Sequence, residues 1–362
     1  MDAEEFRQFV LEVGLSMGTA RTPLIKPFWD AARFIPRGMG PLENAKHTIR
    51  LGMHLRNNPT LNLDDDGPPI KDEMLEGFEK EDLRYTLHMF NKLLHYCPVL
   101  KKVLPNIKNK ADFDTIAHFI DKAQRQARTD DISRLKDRVL NALAKPQRGW
   151  HCHAAARMLC PRNQRDEFDE DREKFCQSVR AINGRHIDHE DWPSLLYCET
   201  EYNPEALDWG LLKSPFLLKC WKTTFLGPSS VTTTVPGQVK KGGRQTVAKM
   251  YGVTKVDEYS ILYVALIARF LLSSVLEWHA DDGPFSGMGF FKNALSLFED
   301  DEWRNDTLAW WNAQVFGTKM PGGGTTNTIV RTGPSSVAQL KQQRAARRLQ
   351  ARQRRGSAAG EN

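Results

Sequence analysis

The sequence lacks the short motifs that mark several common enzyme classes. It contains no His-Glu-x-x-His, no Gly-x-Ser-x-Gly and no Gly-x-Gly-x-x-Gly, which excludes the familiar forms of zinc protease, α/β-hydrolase and dinucleotide site. Gly237 and Gly242 resemble part of a phosphate loop, but Gly243-Arg244 stands where that loop needs Lys followed by Ser or Thr. A P-loop ATPase is therefore excluded, while an enzyme without a known signature is not.

Paired cysteines are also missing, since no Cys-x-x-Cys occurs among the six cysteines. The chain begins MDAEEF, without the basic and then apolar segment of a secretory signal. We therefore expect free thiols in a reducing compartment, and an intracellular protein that is either nuclear or cytoplasmic. His151, His153 and Cys160 are zinc-ligand types at a spacing that matches no familiar finger, so they are weak candidates and no metal site is predicted. No cofactor is indicated.

The longest apolar run extends from Tyr259 to Trp278 and predicts the element around which the chain folds. Its length would span a bilayer, but Arg269 lies in its middle and a charge there is costly in lipid. We therefore expect a central buried helix at about residues 255–278, capped at Thr254 and Asp257, and no membrane partner. The predicted fold class is mainly α, a single irregular multi-helix domain with few or no strands.

A buried Arg269 requires a partner, because an uncompensated guanidinium in a protein interior is expensive. We expect a carboxylate, or several carbonyl oxygens, to meet it. One interpretation is a structural ion pair that fixes the register of the helix. The other is an anion-binding arginine at the floor of a pocket.

Composition and proline spacing suggest four regions. Residues 1–27 form an N-terminal segment, and residues 28–320 form a helical domain that includes a long Gly-, Ser- and Thr-rich loop at 227–252. A flexible linker follows at 321–338, and then a basic tail at 339–362 that we expect to be disordered.

Positive charge is concentrated at the C-terminus. From Arg331 onward there are eight lysines and arginines and one acid, Glu361, so that segment carries +7 and residues 1–330 carry −1. We therefore expect a non-enzymatic interaction protein whose tail contacts nucleic-acid phosphates, although a solubilising tail or a nuclear-import signal would have the same composition. The candidate contact residues are Arg344, Arg347, Arg348, Arg352, Arg354 and Arg355.

A second functional hypothesis is an enzyme that acts on a phosphate-containing substrate. Thr129 or Asp130 is predicted to cap a helix that follows another helix at about 112–127, which would place Arg128, Asp130 and Asp131 at a helix start. These carboxylates would either hold Mg²⁺ or complement the helix dipole. Together with two further arginines they define a candidate pocket: Arg128, Asp130, Asp131, Arg148 and Arg269.

Several fragments occur in an order that resembles a domain-of-unknown-function family abundant in mushroom-forming (basidiomycete) fungi. They are ARTDD, RGW, RMLCP, WPSLLY, GLLKS, FLGPSS, VTK and WWNAQVF, and the likeness extends from about Phe28 to Phe316. The resemblance implies one predominantly helical domain and no established activity, so it assigns no role to any residue. It does imply that the following residues belong to the family pattern: Arg128, Asp130, Asp131, Arg148, Cys160 and Arg269.

Overall fold

The computed structural model describes residues 1–16, 22–64, 70, 72–139, 148–231, 245–317 and 343. The regular secondary structure of these residues is almost entirely helical, which confirms the mainly α prediction. In chain order the helices are α1 (Ala3–Leu15), α2 (Lys26–Gly38), α3 (Ala45–Asn57), α4 (Lys80–Tyr96), α5 (Leu100–Val103), α6 (Lys110–Val139), α7 (His153–Leu159), α8 (Arg165–Glu170), α9 (Arg172–Arg180), α10 (Pro215–Phe225), α11 (Val247–Tyr251), α12 (Glu258–Leu272), α13 (Gly287–Leu295) and α14 (Asp301–Phe316).

The described strands are two residues long and form one antiparallel hairpin. In it β1 (Asp281–Asp282) pairs with β2 (Phe285–Ser286). The chain divides by contacts into two compact units, Met1–Asp131 and Ile132–Asn362. The predicted boundaries at residues 28 and 320 stay predictions.

Unit 1 is held by close packing between α3 and α4 and by a cluster of aromatic rings. Gly52 of α3 lies against Phe90 of α4, and a Cβ at position 52 would come within 2.3 Å of that ring. Only a glycine permits this approach of the two helices. Phe28 stacks on Phe119 with a centroid separation of 5.0 Å, which joins α2 to α6.

Unit 2 is built around α12, as the apolar run predicts. Every residue of α12 except Glu258 and Arg269 is buried, and the helix contacts α7, α10 and α13. Trp221 of α10 donates its indole N–H to Ser260 of α12 at 3.1 Å. Burial on all sides explains why the helix is apolar around its whole circumference.

The predicted limits of the central helix were wrong at both ends. The N-cap is Asp257, whose side chain accepts from the backbone of Ser260 in a capping box, and Thr254 lies outside the helix. The helix ends at Leu272 and not near 278, because the Ser273 hydroxyl bonds the carbonyl oxygen of Phe270 and receives the N–H of Val275. A serine side chain that competes for backbone groups in this way favours termination.

The predicted helix start near Asp130 was also wrong, because α6 runs without interruption from Lys110 to Val139. No glycine or proline occurs within it, and Thr129 donates its hydroxyl to the carbonyl oxygen of Arg125 one turn earlier. Asp130 and Asp131 pair with arginines of α2 and do not cap α6.

The predicted long loop at 227–252 contains helical structure at both of its ends. A 3-10 turn occupies Pro228–Val231, and α11 is capped by the Thr246 side chain. Residues 232–244 lie outside the described part of the chain. Among the described helices, none combines the length and apolar character needed to cross a membrane.

Candidate functional site

Arg269 is the basic residue of α12, and the β1–β2 hairpin supplies its partners. Its Nη1 donates to Oδ2 of Asp282 at 3.0 Å, and its guanidinium carbon lies 3.3 Å from the centre of the Phe285 ring. The hairpin register pairs Asp282 with Phe285, so one turn delivers both the carboxylate and the aromatic face. The expectation that a carboxylate meets Arg269 is confirmed.

The environment of Arg269 is mostly apolar but not sealed. Burial lowers the pKa of Arg269, and the Asp282 carboxylate opposes that shift. The side chain keeps 16% of its surface exposed, and that of Asp282 keeps 30%. The guanidinium stays charged at neutral pH, since arginine titrates far above it. The site can therefore present a fixed positive charge with an aromatic backing to a small anion.

A row of aromatic rings extends from Arg269 towards the loop before α10. Phe285 contacts Phe290 with a centroid distance of 5.5 Å, and Phe290 contacts Trp192 at 5.8 Å. Trp192 is fully buried and its Nε1 has no hydrogen-bond partner among the described residues. His189 packs its ring on Gly289, where a Cβ would come within 2.3 Å of it. The indole N–H of Trp192 is therefore a buried donor that one acceptor atom or an ordered water could bond.

The acidic members of the predicted pocket, Asp130 and Asp131, are engaged within unit 1. Oδ2 of Asp131 accepts Nε of Arg37 at 2.8 Å and Oδ1 accepts Nη2 at 3.0 Å, with both side chains almost fully buried. Asp130 pairs with Arg33, one turn before Arg37 on α2. Arg128 lies on α6, as the two aspartates do, and is half-buried. These pairs join α2 to α6.

The remaining predicted members, Arg148 and Arg269, belong to unit 2. Arg148 is half-buried and precedes the 3-10 turn Gly149–His151, where Gly149 adopts a φ of +60°. A Cβ at Gly149 would come within 2.9 Å of the backbone nitrogen of Ser274, so this turn approaches the end of α12 closely. The five-residue pocket as a whole stays a prediction.

The three weak metal candidates, His151, His153 and Cys160, have different surroundings. His151 Nδ1 lies 3.0 Å from Nη1 of Arg180, and His153 Nε2 lies 3.2 Å from Glu173. Cys160 is buried, and burial raises the pKa of its thiol far above the ordinary value. In the part of the chain that is described, no three His, Cys, Asp or Glu side chains are grouped to hold a metal ion.

The six tail arginines proposed for nucleic-acid contact lie outside the described residues. Gln343, immediately before the first of them, is described. Its side-chain oxygen accepts the N–H of Leu207 at 3.3 Å, and its side-chain nitrogen donates to the carbonyl oxygen of Glu205 at 3.1 Å. The sequence reasoning did not anticipate this contact.

The sequence reasoning also missed an ion-pair network centred on α8. Arg157 and Arg165 both bond Oε1 of Glu199, at 3.0 and 3.1 Å, and both approach Asp169. Arg165 is almost fully buried, although Asp169 lies in the charged run from Asp166 to Glu173. Phe168, which is fully buried in the middle of that run, was the available signal.

The comparisons with known proteins identify the family of the chain. A family of unknown function, DUF6698, matches residues 122–316, which is more than half of the chain. The chain belongs to this family. The match begins later than the resemblance drawn from Phe28, and the fungal distribution stays a prediction. No curated protein and no solved structure matches the chain.

Proposed function

We propose that the protein is a non-enzymatic interaction protein that contacts nucleic-acid phosphates through its basic C-terminal segment. The observation that carries the proposal is the separation of charge, with +7 on residues 331–362 and −1 on residues 1–330. Neutralising phosphates releases condensed counterions, so a cluster of arginines binds nucleic acid without reading its sequence.

The arrangement of the other arginines supports this assignment. Arg37 and Arg165 are each bonded to carboxylates within the folded units. An arginine already paired with a carboxylate gains little from an additional phosphate, because the carboxylate would be left without its partner. The C-terminal arginines thus carry the excess positive charge, and a nuclear site of action fits such a segment.

The test measures the binding of a labelled DNA duplex and a labelled RNA by anisotropy across a salt series. The full-length chain is compared with a variant in which five arginines become glutamine: Arg347, Arg348, Arg352, Arg354 and Arg355. Each lost duplex phosphate contact should reduce the slope of log K against log salt by about 0.9. The variant is therefore expected to bind far more weakly at low salt and to show a flatter salt dependence.

The matched control changes the same five arginines to lysine, which keeps the charge and should keep most of the binding. Failure of the full-length chain to bind either nucleic acid at low salt would contradict the proposal. Equal binding by the glutamine variant would contradict it as well, since the phosphate contacts would then lie elsewhere.

A second candidate function, an enzyme acting on a phosphate-containing substrate, is favoured by the partly open Arg269 site. Its guanidinium has an aromatic backing and 16% of its side chain is exposed. Titration with inorganic phosphate and pyrophosphate, followed by the backbone amide NMR signals of the neighbouring Asp282 and Phe285, tests this alternative. Saturable shifts that Arg269→Lys abolishes would favour it, and unchanged spectra would dismiss it.

A further inference from the structure

One stretch of unit 2 is strongly acidic. Residues 186–212 contain seven carboxylates and no lysine or arginine: Asp188, Glu190, Asp191, Glu199, Glu201, Glu205 and Asp208. Its charge of −7 is equal and opposite to that of residues 331–362. Glu199 is already bonded to Arg157 and Arg165, and the remaining carboxylates favour a further cationic partner.

The part of this stretch nearest to Gln343 has a surface that a partner can reach. Glu201 is exposed, and Trp209 keeps 37% of its surface accessible. Glu199 is exposed as well, but it already bonds Arg157 and Arg165. Oε2 of Glu205 is buried without a hydrogen-bond partner among the described residues. An acceptor left in that state is costly unless a donor reaches it.

Gln343 provides the contact between the two charged segments. Its side-chain oxygen accepts a hydrogen bond from the N–H of Leu207, and its side-chain nitrogen donates one to the carbonyl oxygen of Glu205. The side-chain amide of Gln343 thus accepts one backbone hydrogen bond and donates another, as the backbone of an added β-strand would. Arg344 follows directly in the sequence and Lys341 lies two residues before, so cations flank the anchor.

We propose that residues 186–212 are a docking surface for the basic C-terminal segment of the same chain, with Gln343 as its anchor. Attachment within one chain raises the effective concentration of the segment at the surface to about the millimolar range. The docked segment cannot bind phosphates at the same time, so the acidic surface and nucleic acid compete for it. This competition rests on the proposed function, whereas the docking does not.

Docking is tested directly by zero-length carbodiimide coupling of full-length protein, which joins a lysine amine to a carboxylate that it contacts. Peptide mass spectrometry is expected to find Lys341 coupled to Glu201 or Glu205. Gln343→Ala should reduce this product strongly, and Gln342→Ala, the adjacent control, should leave it unchanged. Absence of any product between Lys341 and residues 186–212 would overturn the proposal.

Mixed chains of two isotopic compositions identify which chain the segment docks on. Products within one isotopic chain support the proposal. Products that join the two isotopic forms would overturn it in favour of docking between copies.

Competition is tested by DNA affinity in the same variants. Gln343→Ala leaves the charge unchanged and should raise the affinity, by about tenfold where the docked form holds nine-tenths of the molecules. Glu201→Gln with Glu205→Gln should also raise it, and by more than the charge-matched control Glu73→Gln with Glu76→Gln, whose side chains are exposed in unit 1.

Equal gains from both double variants, with none from Gln343→Ala, would overturn the competition, because net charge alone would explain them. The coupling experiment does not involve nucleic acid. A chain that couples Lys341 to the acidic stretch but never binds DNA or RNA would therefore refute the proposed function and leave the docking intact.

Discussion

Each unit contains an arginine–aspartate pair that neutralises a buried guanidinium, and the two pairs differ in geometry. Arg37 and Asp131 are almost completely buried and joined by two hydrogen bonds, and Arg37 also donates to the carbonyl oxygen of Arg33. Arg269 has one bond to Asp282, an aromatic ring on its face and some exposure. The first geometry fits a fixed junction between helices, and the second leaves room for exchange with a ligand.

The largest expected effect distinguishes the two pairs by stability. Asp131→Ala leaves the guanidinium of Arg37 buried without its carboxylate, which should lower the free energy of unfolding by about 3–5 kcal/mol. Urea denaturation followed by circular dichroism measures this loss. Asp130→Ala is the neighbouring control, and its half-exposed pair with Arg33 should cost about 1 kcal/mol or less. Comparable losses in the two variants would remove the distinction drawn between buried and open pairs.

Removing the carboxylate of the second pair should cost less. Asp282→Ala takes one charged hydrogen bond from Arg269 but leaves the Phe285 ring and some water access, so we expect a loss of about 1.5–3 kcal/mol. Asp281→Ala, at the exposed neighbouring position of β1, is the control and should have little effect. A loss at position 282 as large as at 131 would show that the Arg269 site is as closed as that of Arg37.

Thiol reactivity tests whether the two units open together. Burial raises the pKa of Cys97 in unit 1 and of Cys220 in unit 2 to about 12 each, so neither should react in the native state at neutral pH. Pulsed alkylation along a urea series, read by mass spectrometry, reports each unit separately. The half-buried Cys198 should react first. Coincident midpoints for Cys97 and Cys220 would show one cooperative transition, and separate midpoints would show two.

The smallest effects concern pH and have opposite signs in the two units. A hydrogen bond with His54, 2.7 Å away, lowers the pKa of Asp72 in unit 1. Its stabilising contribution is therefore complete above the ordinary value of 3.8 and is lost as the pH falls through the lower folded value. Asp72→Asn should flatten the stability profile in that acidic range.

In unit 2, burial raises the pKa of Asp191, and the charges of Asp188 and Glu190 add to the rise. The protonated form is favoured on folding, so the contribution to stability is present below 3.8 and disappears as the pH rises through the folded value. Asp191→Asn should therefore stabilise the protein slightly at neutral pH. NMR titration of the two carboxyl carbons checks both signs, and a lowered pKa at Asp191 would contradict the account.

Local patterns predicted the mainly helical fold and the existence of the central helix, but they could not predict contacts between residues distant in sequence. The apolar run identified α12, and the partner of Arg269 lies thirteen residues away on the next turn of chain. Asp131 instead meets an arginine ninety-four residues earlier, and nothing in the spacing of the sequence relates the two positions. The same limit explains the error at α6, because Thr129 and Asp130 have the composition of a cap until Arg33 is brought alongside.

The candidate site also has features that the local sequence predicts and features that depend on the fold. The need of Arg269 for a carboxylate followed from the cost of a buried charge alone. The aromatic backing by Phe285 did not follow, since it depends on the hairpin register. The acidic stretch is visible in the sequence as a local excess of carboxylates, but its contact with Gln343 is visible only in the structure.

Leu212 shows how a backbone conformation can restrict later sequence change. It has a φ of 59°, which costs an L-residue about 1–2 kcal/mol, and its carbonyl oxygen receives the indole N–H of the buried Trp311 at 2.8 Å. The leucine side chain is itself fully buried. Glycine would relieve the backbone but empty the space, and a β-branched residue would fill the space but suit the backbone less. Evolutionary drift at this position is thus confined by two opposing demands, and relatives that differ here should carry a compensating change beside Trp311.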